Sequence, residues 1–206
     1  MISTIIKNIF VAIVTYFLGN FSPARMLGKI YGVDITKEGS GNPGTTNVIR
    51  TLGIKAGLLT LVIDAFKGFI AVKLGMAFSW PIGGYVGFIF VIMGHCYPYL
   101  YKFKGGKGVA SALGAAFALN WPSAFLALFI GLLVLAIDKR MSMASLTAAI
   151  SYPILMFFIA RESALFALLI ALVIIYNHRA NIKRLKAGEE PKLEIGEKIK
   201  ENKNRK

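Results

Sequence analysis

Six long apolar stretches, separated by polar and basic segments, leave this chain little choice of architecture: they run over 2–21, 58–78, 81–100, 109–137, 143–160 and 163–176. A helix needs roughly 20 mostly apolar residues to cross about 30 Å of hydrocarbon. Inside that layer every backbone N–H and C=O must find a partner within the chain, which favours helices for segments of this length. Composition agrees. With 56% hydrophobic residues and a mean hydropathy of +0.63, the 206 residues carry far more apolar surface than one soluble core needs. The expectation is an all-α integral membrane protein. One polytopic domain should occupy residues 1–193, followed by a basic, mobile cytoplasmic tail over 194–206.

The first stretch resembles a secretory signal in having a lysine, Lys7, before an apolar run, but it lacks a small-residue cleavage site. It is read as a retained span ending near Pro23, with Gly19, Asn20 and Ser22 at the interface. Six spans in simple alternation would place Lys102 to Lys107 beside the Arg25 to Arg50 loop but put the basic tail on the other side, against the positive-inside rule. The stretch 109–137 is too long for one ordinary span and is interrupted by Asn120, Trp121 and Pro122, so two short helices meeting at the outer interface are expected. About seven transmembrane helices result, two of them short, with the N-terminus outside and the C-terminus cytoplasmic. Loops 22–53, 102–108 and 138–140 and the tail from His178 then all face the cytoplasm.

The basic excess, 24 Lys and Arg against 10 Asp and Glu, fits contact with anionic lipid head groups or a phosphorylated substrate. A chain buried in lipid has little surface for nucleic acid, and none is expected as a partner. The lone Cys96 excludes an internal disulfide framework. No cluster of metal ligands stands out, so neither metal nor cofactor is expected.

Polar residues gather in three cytoplasmic segments: "GSGNPGTTNVIR" at 39–50, "GHCYPYLYKFKGGKGVA" at 94–110 and "NHRANIKRL" at 177–185. In the first, Gly39, Gly41 and Gly44 permit close backbone approach, while Ser40, Asn42, Thr45, Thr46 and Asn47 supply hydrogen-bonding groups. Pro43, Gly44 and Thr45 form a turn opening a helix, whose free N–H groups favour an oxyanion. Arg50 adds a forked cation about two turns on. Gly39 to Gly44 also matches a dinucleotide fingerprint, but the following residues enter the membrane where that fold needs a soluble sheet and an acidic residue.

The second segment sets Lys102, Lys104 and Lys107 among Gly105, Gly106 and Gly108. It resembles a phosphate loop but lacks the Ser or Thr after lysine that would hold magnesium, so nucleotide hydrolysis is not indicated. Lipid anchoring explains lysines beside a membrane, yet it does not need the flanking glycines. His95 is a base, a phosphate donor or an interfacial hydrogen-bonding group. In the third segment His178 and Asn181 share one helical face. Beyond Asn181, nine Lys or Arg and five Glu read as a solvated, lipid-facing tail without a site. Asp64 and Lys67, three apart in an apolar stretch, read as a mutually neutralising structural pair.

These segments, in this order between apolar spans, resemble the bacterial acyl-phosphate:glycerol-3-phosphate acyltransferases, the integral-membrane PlsY family. "SPAR" at 22–25 and "DAFKG" at 64–68 are similar too, and the likeness extends to about Leu193. It implies a monomeric seven-helix enzyme of the bacterial inner membrane, its site facing the cytoplasm, with acyl phosphate, glycerol 3-phosphate and membrane lipids as partners. Transferred by motif position, Ser40, His95, Lys107, His178 and Asn181 are the catalytic candidates. Gly39, Gly41, Asn42, Thr46, Asn47, Arg50, Lys104, Gly105, Gly106 and Gly108 are the substrate phosphate binders. A transporter of a phosphorylated solute would use the same cations without making bonds, although no inverted repeat is visible. An anionic-lipid scaffold would leave the glycine-rich loops unexplained.

Overall fold

The structure, a computed structural model, describes residues 2–193, so the expected tail at 194–206 lies outside the described residues. Every regular element among them is helical. In order these are α1 (Ile2–Asn20), α2 (Pro23–Ile30), α3 (Thr45–Leu52), α4 (Ile54–Phe78), α5 (Ile82–Cys96), α6 (Val109–Leu119), α7 (Trp121–Asp138), α8 (Met141–Ile159), α9 (Ala164–Asn177) and α10 (Arg179–Lys186). Single 3-10 turns occupy Tyr99–Tyr101 and Arg161–Ser163.

Local chemistry sets the breaks. Ser22 caps α2 by accepting from the Arg25 amide at 3.4 Å, with Pro23 in the first turn. The expected break within 109–137 is present. The Asn120 side chain accepts from the Ser123 amide at 3.0 Å, and Pro122 sits in the first turn of α7. At the other end of α7, Lys139 turns the chain in the left-handed region. The last apolar stretch forms α9. It ends at Asn177, and α10 leaves at a bend of 62°.

The helices pack in two groups. α4 lies against α1, α5 and α6, and α1 also packs on α5, whereas α7, α8 and α9 form a second layer. Small residues permit the closest approach: a Cβ at Gly68 or Gly114 would run into backbone of the opposing helix in the α4–α6 pair. The core between the groups contains Phe88, Val91, Ile92, Met156 and Ala167, all fully or almost fully buried. The outside is apolar as well, with Ile13, Phe17, Val62, Phe66, Leu132 and Phe158 exposed. Such a surface is expected where lipid is the solvent. Four segments, Ile2–Ile30, Ile82–Tyr101, Trp121–Asp138 and Met141–Ile159, are long and apolar enough to cross a membrane; a fifth counts if Arg161–Asn177 and Arg179–Lys186 are taken as one bent span. Helix α4 is longer, 25 residues or about 37 Å, but contains the charged pair Asp64 and Lys67.

Candidate active site

A cavity of about 310 Å³ lies between the two helix groups. Its mouth is polar and collects residues from all three segments: Ser40, Asn42, Thr46, Asn47 and Arg50, then His95, Lys107 and Gly108, then His178 and Asn181. Five other candidates do not line it. Gly41, Lys104 and Gly105 border a separate groove of about 490 Å³ with Arg25 and Lys102. There the Arg25 guanidinium lies 4.5 Å from the Tyr101 ring centre and donates to the Lys104 carbonyl at 2.7 Å. Gly39 turns the backbone at φ +57° against Asn47, whose side-chain oxygen a Cβ there would meet. Gly106 packs against the Nε2 edge of His95, so that a Cβ at this position would collide with Nε2; its amide donates to the His95 carbonyl at 3.1 Å.

The loop before α3 is shaped by Asn47, which is 1% exposed. Its amide nitrogen donates to the carbonyls of Ile35 and Glu38, each at 3.0 Å, and its oxygen accepts from the Ser40 amide at 2.9 Å. That carboxamide therefore holds the loop in shape and presents Ser40 and Asn42 at the mouth. Beside them the Thr45 hydroxyl is buried with no hydrogen-bond partner among the described residues. An unsatisfied buried hydroxyl at a cavity wall is a donor ready for a ligand.

Lys107 lies in the loop before α6, outside the spans, and its ammonium donates to the Asn181 side-chain oxygen. Asn181 in turn donates to Glu190 at 2.6 Å, and Arg184 donates to the same carboxylate at 2.7 Å. Burial drives the Lys107 amine down; Glu190 opposes this, and Arg184 and Arg50 add to it, leaving the amine at about 8. Burial pushes the Glu190 carboxyl up, but hydrogen bonds from Asn181 and Arg184 outweigh it and hold the group below the usual carboxylate range. At the break between α9 and α10, the His178 ring shares its Nδ1 proton with the Ile174 carbonyl at 2.8 Å. Burial lowers this imidazole to about 4, against the opposing effect of that hydrogen bond. It is neutral near pH 7, with Nδ1 as donor and Nε2 free to accept.

Glu190 corrects the expectation that residues after Asn181 form a solvated tail without a site. It is 6% exposed, and the segment around it folds back over the mouth. Arg140 donates to the Glu190 carbonyl at 3.1 Å, Arg50 to the Pro191 carbonyl at 3.4 Å, and the Leu193 amide to the Lys139 carbonyl at 2.7 Å. Arg184 reaches the same cavity. The available signal was an acidic pair, Glu189 and Glu190, before Pro191 in a stretch otherwise rich in lysine and arginine.

A second polar cluster supports the mouth from within the bundle. Lys67 pairs with Asp64 at 2.7 Å and donates to the carbonyls of Gly19 and Phe21 at 3.1 and 2.7 Å. The His95 Nδ1 is 3.0 Å from Lys67 Nζ and 3.4 Å from Asp64 Oδ1. The pair inferred from spacing is thus a buried triad, and it fixes the imidazole that Gly106 covers.

Three cations, Arg50, Lys107 and Arg184, two carboxylates, Asp64 and Glu190, and several amide and hydroxyl groups line a cavity whose apolar part contains Val109, Ala112, Ala116, Ala127, Ala171 and Ile174. Such a site takes a ligand with an anionic head and an apolar chain. The fold and site together define a helical protein of membrane type with one cavity that is polar and cationic at its mouth and apolar below. The comparisons identify it further: residues 9–188 match the family model described as glycerol-3-phosphate acyltransferase. A glycerol-3-phosphate acyltransferase of Clostridioides difficile is 43% identical over 197 residues, covering 92% of this chain and 97% of the relative. One from Alkaliphilus metalliredigens is 40% identical over 187 residues, covering 90% and 96%. Two crystal structures of PlsY, an integral membrane glycerol 3-phosphate acyltransferase, superpose with TM-scores of 0.87 and 0.84. These are its glycerol 3-phosphate and lysophosphatidic acid forms, 36% and 37% identical, each covering 91% of this chain and 96% of the other. The chain belongs to the glycerol-3-phosphate acyltransferase family, as the motifs implied.

Proposed function

We propose that the chain transfers a fatty acyl group from acyl phosphate to the sn-1 hydroxyl of glycerol 3-phosphate, giving lysophosphatidic acid and inorganic phosphate. The observation that carries this reading is the single cavity in which a cationic mouth continues into an apolar channel. A phosphate head and an acyl chain are the two ends of an acyl phosphate, and the forms in which the related PlsY was crystallised fit the acceptor and product.

Arg50, Lys107 and Arg184 hold phosphate oxygens, with Ser40, Asn42, Thr46 and the backbone at Gly108 completing the cradle. The sn-1 oxygen attacks the acyl carbonyl carbon, and the bond from that carbon to the phosphate oxygen breaks. His178 is too weak a base at about 4 to remove an alcohol proton at neutral pH, so its Nε2 orients the hydroxyl. As that bond breaks, the acyl phosphate dianion would leave as a phosphate trianion, a strong base, which takes the hydroxyl proton and departs as hydrogen phosphate. The fixed cations stabilise the charge developing on it. His95 acts as a support for the loop through Gly106. Ser40 needs no acylated state, because among the described residues no histidine or carboxylate is hydrogen-bonded to it. Gly39, Gly41, Lys104, Gly105 and Gly106 serve as loop framework outside the cavity.

In this reading seven helices cross the inner membrane of a bacterium, α1, α4, α5, α6, α7, α8 and α9, with the N-terminus outside and the site at the cytoplasmic face. The chain acts as a monomer. The test is purified protein with palmitoyl phosphate and labelled glycerol 3-phosphate, without added metal or acyl-CoA. Lysophosphatidic acid and phosphate should form in equal amounts and fall sharply in Lys107→Ala and Arg50→Ala. Equal efficiency with a non-phosphate thioester donor would overturn the proton route, and a labelled acyl group trapped on Ser40 would overturn direct transfer.

A further inference from the structure

The cavity does not use every cation that the loops carry. Beside it lies the groove of about 490 Å³ bordered by Arg25, Lys102 and Lys104, and no acidic side chain among the described residues lines it. Asp34, near enough to feel the Arg25 charge, is occupied by the amide and hydroxyl of Thr36 at 3.0 and 2.7 Å. Neither Lys102 nor Lys104 forms an ion pair among the described residues. Arg25, stacked on Tyr101, spends one of its five donors on the Lys104 carbonyl. Its Nε is buried with no partner among the described residues.

The loop that carries the two lysines is closed on itself. Every backbone amide from Tyr99 to Gly106 donates within the protein. Lys102 and Phe103 both take left-handed backbone there, at φ 53° and 60°, a conformation that L-residues adopt rarely. Lys102 and Lys104 are thus presented from a fixed frame.

The surroundings set this groove at a lipid boundary. The apolar segments Ile2–Ile30 and Ile82–Tyr101 both run out beside it. Tyr99, Leu100 and Phe103 are 64, 61 and 58% exposed, and Met26 and Ile30 are exposed on α2, the helix that supplies Arg25. Exposed aromatic and aliphatic side chains next to basic ones are the pattern of the head-group layer. A free phosphate would leave those side chains in water. A phospholipid brings acyl chains to cover them and a phosphate for the cations.

We propose that this groove binds the phosphate of an anionic phospholipid, and that the bound head group braces the mouth of the active-site cavity. Bracing follows from shared walls. Gly41 and Pro43 border the groove, while Ser40, Asn42 and Gly44 line the cavity. Lys104 and Gly105 border the groove, while Lys107 and Gly108 line the cavity. A phosphate seated between these two segments therefore fixes the backbone whose neighbouring residues carry the polar groups of the mouth. The bracing rests on the reading of that cavity as the acyl-transfer site; the binding does not.

The experiment titrates phosphatidylglycerol into the full-length protein in neutral detergent and follows retained lipid by native mass spectrometry, with zwitterionic phosphatidylcholine as the comparison. The unaltered protein should retain phosphatidylglycerol in preference. Lys102→Gln with Lys104→Gln should weaken that retention about 25-fold, at about fivefold per lysine. Lys29→Gln with Lys55→Gln removes the same charge outside the groove and should retain the lipid as the unaltered protein does. All four lysines are exposed, so neither variant disturbs packing. Equal retention by the groove variant and the unaltered protein would overturn the site. So would a loss confined to Lys107→Met, which would put the lipid in the active-site cavity, or displacement of the lipid by glycerol 3-phosphate or inorganic phosphate, which would make the occupant a free phosphate.

Bracing is read as turnover of palmitoyl phosphate and glycerol 3-phosphate in phosphatidylcholine vesicles with and without phosphatidylglycerol. Anionic vesicles repel glycerol 3-phosphate from every variant alike, so the two charge-matched variants isolate the groove. Stimulation should survive in Lys29→Gln with Lys55→Gln and be lost in Lys102→Gln with Lys104→Gln. No stimulation of the unaltered protein, or equal stimulation of both variants, would overturn the bracing. If the protein transfers no acyl group in any lipid, the activity reading has failed by itself, and retention still decides the site.

Discussion

Lys107→Met removes one charge from the mouth while nearly preserving side-chain volume, and its cost can be worked from the structure. An ammonium has three donors. One is spent on the Asn181 oxygen, which leaves two for phosphate. A hydrogen bond to a charged group is worth about 1.5–3 kcal/mol, so losing even one should lower kcat/KM for glycerol 3-phosphate about 10- to 150-fold. The amine at about 8 supplies a second signature. The charge that binds phosphate is mostly present at pH 7 and is lost as pH rises through about 8, so the unaltered enzyme should lose affinity above that pH with a slope of one proton. Lys107→Arg stays charged throughout and should lose that alkaline limb. The assay is initial-rate kinetics from pH 6 to 10 at fixed palmitoyl phosphate. A loss under about threefold in Lys107→Met, or an alkaline limb that survives in it, would refute the assignment.

Glu190 opposes the lowering of the Lys107 amine, so Glu190→Gln should move the alkaline limb to lower pH; a limb that stays in place would show that the two groups are not coupled. Glu190→Ala also strips Asn181 and Arg184 of their shared acceptor and should cost about 2 kcal/mol of stability, read as a lower thermal midpoint in detergent. Lys67→Met leaves the Asp64 carboxylate buried and unpaired and should destabilise the protein by about 3–5 kcal/mol, or on the order of 10 °C for a chain this size. The double variant Asp64→Leu with Lys67→Met should recover most of that loss, and equal damage in the double would contradict a mutually neutralising pair. Gly106→Ala forces a Cβ onto the Nε2 edge of His95 and should cost about 1–3 kcal/mol, with activity falling in parallel as the Lys107 loop moves; an unperturbed midpoint would show that the loop yields freely.

The apolar stretches and the break at Asn120 to Pro122 follow from sequence alone, because hydropathy over a span and interruption by proline are local properties; the short helix α2, capped by Ser22, lies in what the sequence read as a loop. The three polar segments were equally legible, since glycines, cations and amides crowded between apolar runs have few other uses. Which of those residues share one cavity was decided by tertiary structure. Lys104 and Lys107 are three residues apart, yet the backbone between them sends one to a groove beside Arg25 and the other to Asn181. Asp64 and Lys67 were a pair by spacing, but only the approach of α5 and α1 adds His95 and the carbonyls of Gly19 and Phe21. Glu190 looked like one more charge in a solvated tail until the chain folded back across Arg50, Lys139 and Arg140. Periodicity and composition report which face of a segment avoids water; the distances between faces of different segments arise only when the helices pack.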